Sequence, residues 1–137
     1  MGESHLTLLH EMLALLDRYA RTVDRSALDT DRETWLKVKA ALEVATQCAI
    51  DLALALISRR GIGVPQTYRD AFQMLARAGV IDAALAHELQ QWAGMRNVLV
   101  HMYTSLDLDR VHAALSKTAA LRTFHGIVAS ALAEDGA

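Results

Sequence analysis

The sequence of 137 residues contains one cysteine, one proline, seven glycines and only 5% aromatic residues. Alanine and leucine dominate instead, a balance that predicts an all-α fold and argues against a β-sandwich or β-barrel. Because Cys48 has no second cysteine to pair with, an intrachain disulfide is excluded and we expect a cytoplasmic protein. The first residues lack a basic start followed by an apolar core, so no signal peptide is predicted.

An excess of positive charge is also missing, since the formal net charge is −2. Proteins that bind nucleic acid through general electrostatic attraction usually carry a basic excess, so any RNA contact here would have to be local. The longest apolar run covers residues 40–57 and is interrupted by Glu43, Gln47 and Asp51. These polar residues favour a buried helix over a membrane-spanning segment, and no membrane association is expected.

Apolar residues recur at intervals of three and four along most of the chain, as in amphipathic helices. The pattern predicts a first helix over about residues 3–23 and a second of roughly 27 residues ending near 58–60. A short helix over 68–78, a fourth opening at Asp82 and a final one from about 107 follow. We therefore predict one domain over residues 1–137, an antiparallel up-and-down helical bundle of four main helices plus one short helix.

The stretch from residue 96 to 103, near the end of the fourth predicted helix, carries four polar groups within about two helical turns. The guanidinium of Arg96 could hold a phosphate, and a neutral His101 could remove the proton of a ribose 2′-hydroxyl. Asn97 could orient the imidazole or contact the phosphate. Alternatively, these side chains are ordinary surface groups or satisfied polar groups of the core.

Asp51 interrupts the apolar side of the second predicted helix, and a buried carboxylate needs a partner. Two interpretations stay open: Asp51 faces solvent, or it pairs with Arg96 or orients His101. No histidine, cysteine and carboxylate set has the spacing of a metal site, so no metal or other cofactor is expected. Catalysis of this kind needs both an acid and a base, and one copy of the polar cluster offers a single histidine. A symmetric homodimer would supply two copies of the cluster.

One motif resembles the signature of HepT-like proteins, within the HEPN (higher eukaryotes and prokaryotes nucleotide-binding) superfamily. It consists of Arg96, then four residues, His101, then one residue, and Tyr103. The resemblance extends to three further segments, residues 47–51, 67–72 and 75–81. It implies an all-α homodimer whose Arg/His motifs face each other across the interface. It also implies a metal-independent endoribonuclease, the toxin half of a prokaryotic toxin–antitoxin pair.

The same resemblance implies a partner, a minimal nucleotidyltransferase antitoxin of the MntA type. Such a partner would silence the toxin by transferring AMP from ATP to Tyr103. Negative charge and bulk beside Arg96 would then oppose the binding of an RNA phosphate. The alternative for Tyr103 is a rim residue that packs its ring at an interface.

Two other functions compete with the ribonuclease. One is a non-catalytic helical interaction subunit, in which the polar cluster serves only as the docking surface for a nucleotidyltransferase. The other is a ligand-binding helical regulator with a pocket near Asp51. Loss of RNA cleavage on replacing His101 would favour the ribonuclease over both.

Overall fold

A long helix, α3 (Arg32–Arg60), runs through the centre of the protein and packs against most of the other helices. The computed structural model describes residues 2–101 and 105–136. Helix α3 begins after Asp31, whose carboxylate accepts hydrogen bonds from the backbone N–H groups of Glu33 and Thr34. It ends at Gly61, where a φ of 62° suits a residue without a side chain.

Helix α1 (Gly2–Thr22) lies along α3 and buries one apolar stripe against it, formed by Leu9, Leu13, Leu16 and Tyr19. A short helix, α2 (Arg25–Thr30), connects the two and was not predicted from the sequence. It buries Leu28, and the extended backbone of Asp31 then separates it from α3. Six residues are too few for the helical period to stand out from the surrounding loop.

Helices α4 (Tyr68–Arg77) and α5 (Ala83–Val100) pack against each other and against α3, close to their predicted positions. The hydroxyl of Thr67 accepts a hydrogen bond from the backbone N–H of Asp70 and so caps α4. The carboxylate of Asp82 caps α5 in the same way, through a backbone N–H of its first turn. These caps fix the starts of the two helices that carry most of the candidate site.

The single final helix predicted from the sequence is wrong, because α6 (Ser105–Ala114) and α7 (Ala119–Gly136) are separate. The backbone N–H groups of residues 115–117 bond carbonyls three residues earlier, which tightens and ends α6. The indole N–H of Trp92 in α5 then donates to the carbonyl of Lys117, at 3.2 Å. This tertiary bond satisfies a backbone group that the break leaves open, and periodicity alone does not reveal it.

All seven helices of the described residues contribute to one apolar core, so the predicted all-α helical bundle is confirmed. Phe72 of α4 meets Phe124 of α7 edge to face, with ring centroids 5.7 Å apart. Helix α3 alone in the described parts of the chain is long and apolar enough to cross a membrane by length and composition. Since 61% of its most apolar window is buried in the bundle, the core position predicted for this run accounts for its composition.

Candidate active site

The guanidinium of Arg96 lies where three helices meet. From α5, its Nε donates a hydrogen bond to Oε1 of Gln47 in α3, at 3.1 Å. Its Cζ lies 5.4 Å from the ring centroid of Tyr68, the first residue of α4, in a cation–π contact. The Arg96 side chain is nevertheless exposed, so an anion from solvent can approach it. Within the described residues Arg96 forms no ion pair with a carboxylate.

Two further polar contacts connect Gln47 to Asp51, on the same helix, and Asp51 to His5 in α1. The amide Nε2 of Gln47 donates to Oδ1 of Asp51, one helical turn later, at 2.9 Å. The other carboxylate oxygen of Asp51 lies 3.3 Å from Nε2 of His5 in α1. Gln47, Asp51 and His5 are all partly buried, and together with Arg96 they form what we call the Arg96 network.

Of the positions that the sequence suggested for Asp51, direct pairing with Arg96 is not the one observed, and its side chain is 38% exposed. It is not simply solvent-facing, because its two oxygens contact Gln47 and His5. It also does not pair directly with Arg96, since Gln47 lies between them. The carboxylate is thus connected to the guanidinium by hydrogen bonds through the amide of Gln47.

The sequence pattern had placed His101 within the helix, but in the structure it is the C-terminal cap of α5. Its backbone, with φ −117° and ψ 41°, leaves the helical region, while its N–H still donates to the carbonyl of Asn97 at 3.0 Å. The β-branched residues Val98 and Val100 weaken the helix just before this point. The side chains of Asn97 and His101 are both exposed, so the imidazole is accessible to solvent and not packed in the core.

Helix α6, which follows residue 101 in the sequence, is attached to α2. The guanidinium of Arg25 contacts the carboxylate of Asp109, with Nε 2.5 Å from Oδ1. Nearby, Nε2 of His112 lies 3.0 Å from the carbonyl oxygen of Val23. Tyr103, the predicted modification site, lies outside the described residues, so its role stays a prediction.

The sequence analysis did not predict a site role for Gln47 and Tyr68, which contact Arg96, or for His5, which contacts Asp51. A glutamine four residues before an aspartate on one helix was a usable signal for the Gln47–Asp51 bond. No local signal places Tyr68 or His5, because both reach the site from other helices. No group of three metal-ligating side chains occurs within residues 2–101 and 105–136, and the absence of a metal requirement stays a prediction.

Comparison with known proteins identifies relatives over most of the chain. The family model described as ribonuclease HepT-like matches residues 9–126. An mRNA nuclease HepT from Shewanella oneidensis is 36% identical over 70 residues, covering 51% of this chain and 53% of that protein. A tRNA nuclease HepT from Aphanizomenon flos-aquae is 29% identical over 115 residues, covering 80% and 78%. The chain thus aligns with only about half the length of the first of these relatives.

Solved structures show the same fold. A tri-AMPylated HEPN toxin of Shewanella oneidensis in complex with an MNT antitoxin superposes with a TM-score of 0.82 at 23% identity, covering 94% of this chain and 96% of that one. A cytosolic protein of unknown function from Bacillus subtilis gives 0.77 at 22% identity, covering 96% and 87%. Since the family model spans far more than half of the sequence, the chain belongs to the ribonuclease HepT-like family, which confirms the resemblance seen in the sequence.

Proposed function

We propose that this protein is a metal-independent endoribonuclease, the toxin of a prokaryotic toxin–antitoxin pair, and that it acts in the cytoplasm. The observation that carries the proposal is the state of Arg96. Its guanidinium is exposed and is held by an amide and an aromatic ring, while no carboxylate in the described residues neutralises it. An exposed imidazole, His101, follows at the end of the same helix. The family and its curated nucleases support the ribonuclease activity.

The reaction uses the RNA's own 2′-hydroxyl as the nucleophile. Neutral His101 removes the hydroxyl proton, and the 2′-oxygen then attacks the adjacent phosphorus. The bond from phosphorus to the 5′-oxygen breaks, which leaves a 2′,3′-cyclic phosphate and a 5′-hydroxyl. Arg96 binds two phosphate oxygens and stabilises the negative charge that builds on them in the transition state.

The departing 5′-oxygen must receive a proton, and one imidazole cannot serve as base and acid at the same moment. A symmetric homodimer places a second His101 at the shared site, where its protonated form supplies that proton. Asn97, exposed on the last turn of α5, contacts the phosphate or the sugar at this site. Asp51 supports the site indirectly, through its bond with Gln47.

The antitoxin in this proposal is a minimal nucleotidyltransferase of the MntA type. The hydroxyl oxygen of Tyr103 attacks the α-phosphorus of ATP, pyrophosphate leaves, and an AMP ester remains on the ring. The added phosphate competes with RNA for Arg96 and lowers the affinity of the site for its substrate. The tri-AMPylated toxin solved with its MNT antitoxin supports this mode of regulation.

Cleavage of total RNA in the presence of EDTA tests the activity. The wild type, His101→Ala and Arg96→Ala are compared with His87→Ala, an exposed histidine on the same helix, as the matched control. We expect cleavage by the wild type and the control, products ending in a 2′,3′-cyclic phosphate, and at least a hundredfold loss in the other two variants. Equal cleavage by His101→Ala, or a dependence on added metal, would contradict the proposal.

The alternative, a non-catalytic interaction subunit, predicts a different result. A dimeric wild type that leaves RNA intact but still binds the nucleotidyltransferase would favour it. Incubation with the partner and ATP, followed by peptide mass spectrometry, separately tests the modification. We expect adenylyl additions on Tyr103, and labelling confined to other residues would contradict that assignment.

A further inference from the structure

We propose that Gln47 is a positioning residue that presents Arg96 to the RNA phosphate, and that Asp51 fixes the orientation of the Gln47 amide. This inference rests on the proposed ribonuclease function and identifies how α3 serves its site. The residues that carry it belong to the Arg96 network: Arg96 on α5, Gln47 and Asp51 on α3, and His5 on α1.

The chemistry of the network determines which way the Gln47 amide faces. A glutamine side chain offers an oxygen that accepts and an NH₂ group that donates, and rotation by 180° exchanges them. The ionised carboxylate of Asp51 only accepts, and the guanidinium of Arg96 only donates. The NH₂ group of Gln47 must therefore face the carboxylate of Asp51, and its oxygen must face the guanidinium of Arg96. The flipped amide would set donor against donor and acceptor against acceptor.

This arrangement uses only one of the five guanidinium donors of Arg96. Its Nε–H is bound by Gln47, and its two terminal NH₂ groups form no hydrogen bond with the described residues, so they are available to the paired oxygens of a phosphate. Because the amide oxygen of Gln47 carries no net charge, this contact does not offset the positive charge of the guanidinium. A carboxylate at the same position would hold Arg96 equally well and would also compete with the phosphate for it.

The uncharged amide of Gln47, which lies between Arg96 and Asp51, therefore has a function in this proposal. Asp51 orients the amide from one helical turn away, and its second oxygen is occupied by His5. The carboxylate is thereby held by α1 and α3 together. Arg96 is positioned by a charged network without being neutralised by it.

Four variants test the inference. Gln47→Ala removes the contact, Gln47→Glu keeps an acceptor but adds charge, and Asp51→Asn removes the group that fixes the amide. Gln73→Ala is the matched control, because Gln73 is also partly buried on a helix and forms no side-chain hydrogen bond with the described residues. The substrate is a labelled oligoribonucleotide carrying a site that the wild type cleaves in total RNA.

Cleavage kinetics provide the first readout, measured well below the melting temperature of each variant. We expect Gln47→Ala to lower kcat roughly tenfold, since a hydrogen bond to a charged group is lost, with a much smaller change in KM. We expect Gln47→Glu to recover part of kcat while KM rises, because its carboxylate competes with RNA for Arg96. Asp51→Asn should fall between wild type and Gln47→Ala, since its amide no longer dictates the orientation of Gln47.

The second readout does not depend on activity. The Nε–H signal of Arg96 in a ¹⁵N NMR spectrum, assigned by its loss in Arg96→Lys, reports directly on the bond to Gln47. Its exchange with water should accelerate roughly tenfold in Gln47→Ala and stay at the wild-type rate in Gln73→Ala. A merely structural role for Gln47 would lower the melting temperature and leave kcat and this exchange rate at their control values.

Failure of this inference is distinguishable from failure of the proposed function. Wild-type kcat in Gln47→Ala, or an unchanged exchange rate of the Arg96 Nε–H, overturns the positioning role while RNA cleavage by the wild type still stands. A wild type that cleaves no RNA overturns the proposed function, and with it the role of Gln47 in catalysis. The exchange measurement then still determines whether Gln47 holds Arg96.

Discussion

The ring of Tyr68 is expected to contribute to RNA cleavage by holding the guanidinium of Arg96 in place. The two groups are 5.4 Å apart, and Tyr68 is 39% exposed. A cation–π contact at such an exposed position contributes about 0.5–1 kcal/mol. If that energy keeps Arg96 oriented in the transition state, its loss lowers kcat/KM by roughly two- to fivefold.

The perturbation is Tyr68→Leu, with Tyr68→Phe as the matched variant that keeps the ring and removes only the hydroxyl. Single-turnover cleavage of a labelled oligoribonucleotide, with enzyme in excess, measures the effect on the chemical step without contributions from product release. We expect Tyr68→Leu to be slower by the factor above and Tyr68→Phe to match the wild type. The wild-type pattern of products should be unchanged in both.

Two results would refute this reasoning. Equal rates for Tyr68→Leu and the wild type would show that the ring contributes nothing to the position of Arg96 during the reaction. An equal loss in Tyr68→Leu and Tyr68→Phe would assign the effect to the hydroxyl and not to the aromatic face. A loss far larger than fivefold in Tyr68→Leu alone would point to a direct contact between the ring and RNA.

Two further predictions concern stability and pH. Hydrogen bonds from the Thr34 hydroxyl and backbone N–H lower the pKa of the Asp31 carboxyl below 3.8. Its contribution to stability is therefore present above pH 3.8 and is lost as the pH falls through the folded pKa. In thermal melts, Asp31→Ala should have a lower melting temperature than the wild type at neutral pH, and this difference should narrow in acid. Burial, and secondarily the charge of Asp51, raise the pKa of the Cys48 thiol above 9.0, so its contribution is present below that pH and lost as pH rises through the folded pKa. Urea titrations should therefore show a weaker alkaline loss of stability in Cys48→Ala, and equal slopes against pH in both proteins would contradict this.

The sequence predicted those parts of the fold that local patterns determine. The helix start predicted at Asp82 is an example, since its carboxylate accepts the backbone N–H of Leu85 and caps α5. The break between α6 and α7 was missed partly because the indole that bonds the carbonyl of Lys117 there comes from Trp92, on another helix. Apolar periodicity continues across that break, so the pattern gave no reason to end the helix there.

The candidate site divides in the same way. The spacing of Arg96 and His101 placed both near one helix end, and the structure agrees, apart from ending α5 one residue before the imidazole. The surroundings of Arg96 could not be predicted, because Gln47 and Tyr68 are 49 and 28 positions away in the sequence. Which of several nearby polar residues reaches a long side chain is decided by helix packing, and packing is not visible in periodicity.

The two proposed catalytic groups depend on different parts of the fold. Arg96 is held by α3 and α4, through the amide of Gln47 and the ring of Tyr68. The hydrogen bond that the described residues show for His101 runs from its backbone N–H to the carbonyl of Asn97 in α5. Helix α6, later in the chain, is attached to α2 by the contact of Arg25 with Asp109. In the described residues, Arg96 is therefore positioned by side chains of two neighbouring helices, whereas the exposed imidazole of His101 forms no hydrogen bond. A site divided in this way suits an enzyme in which a second subunit completes the active arrangement and an antitoxin can disturb one half without unfolding the other.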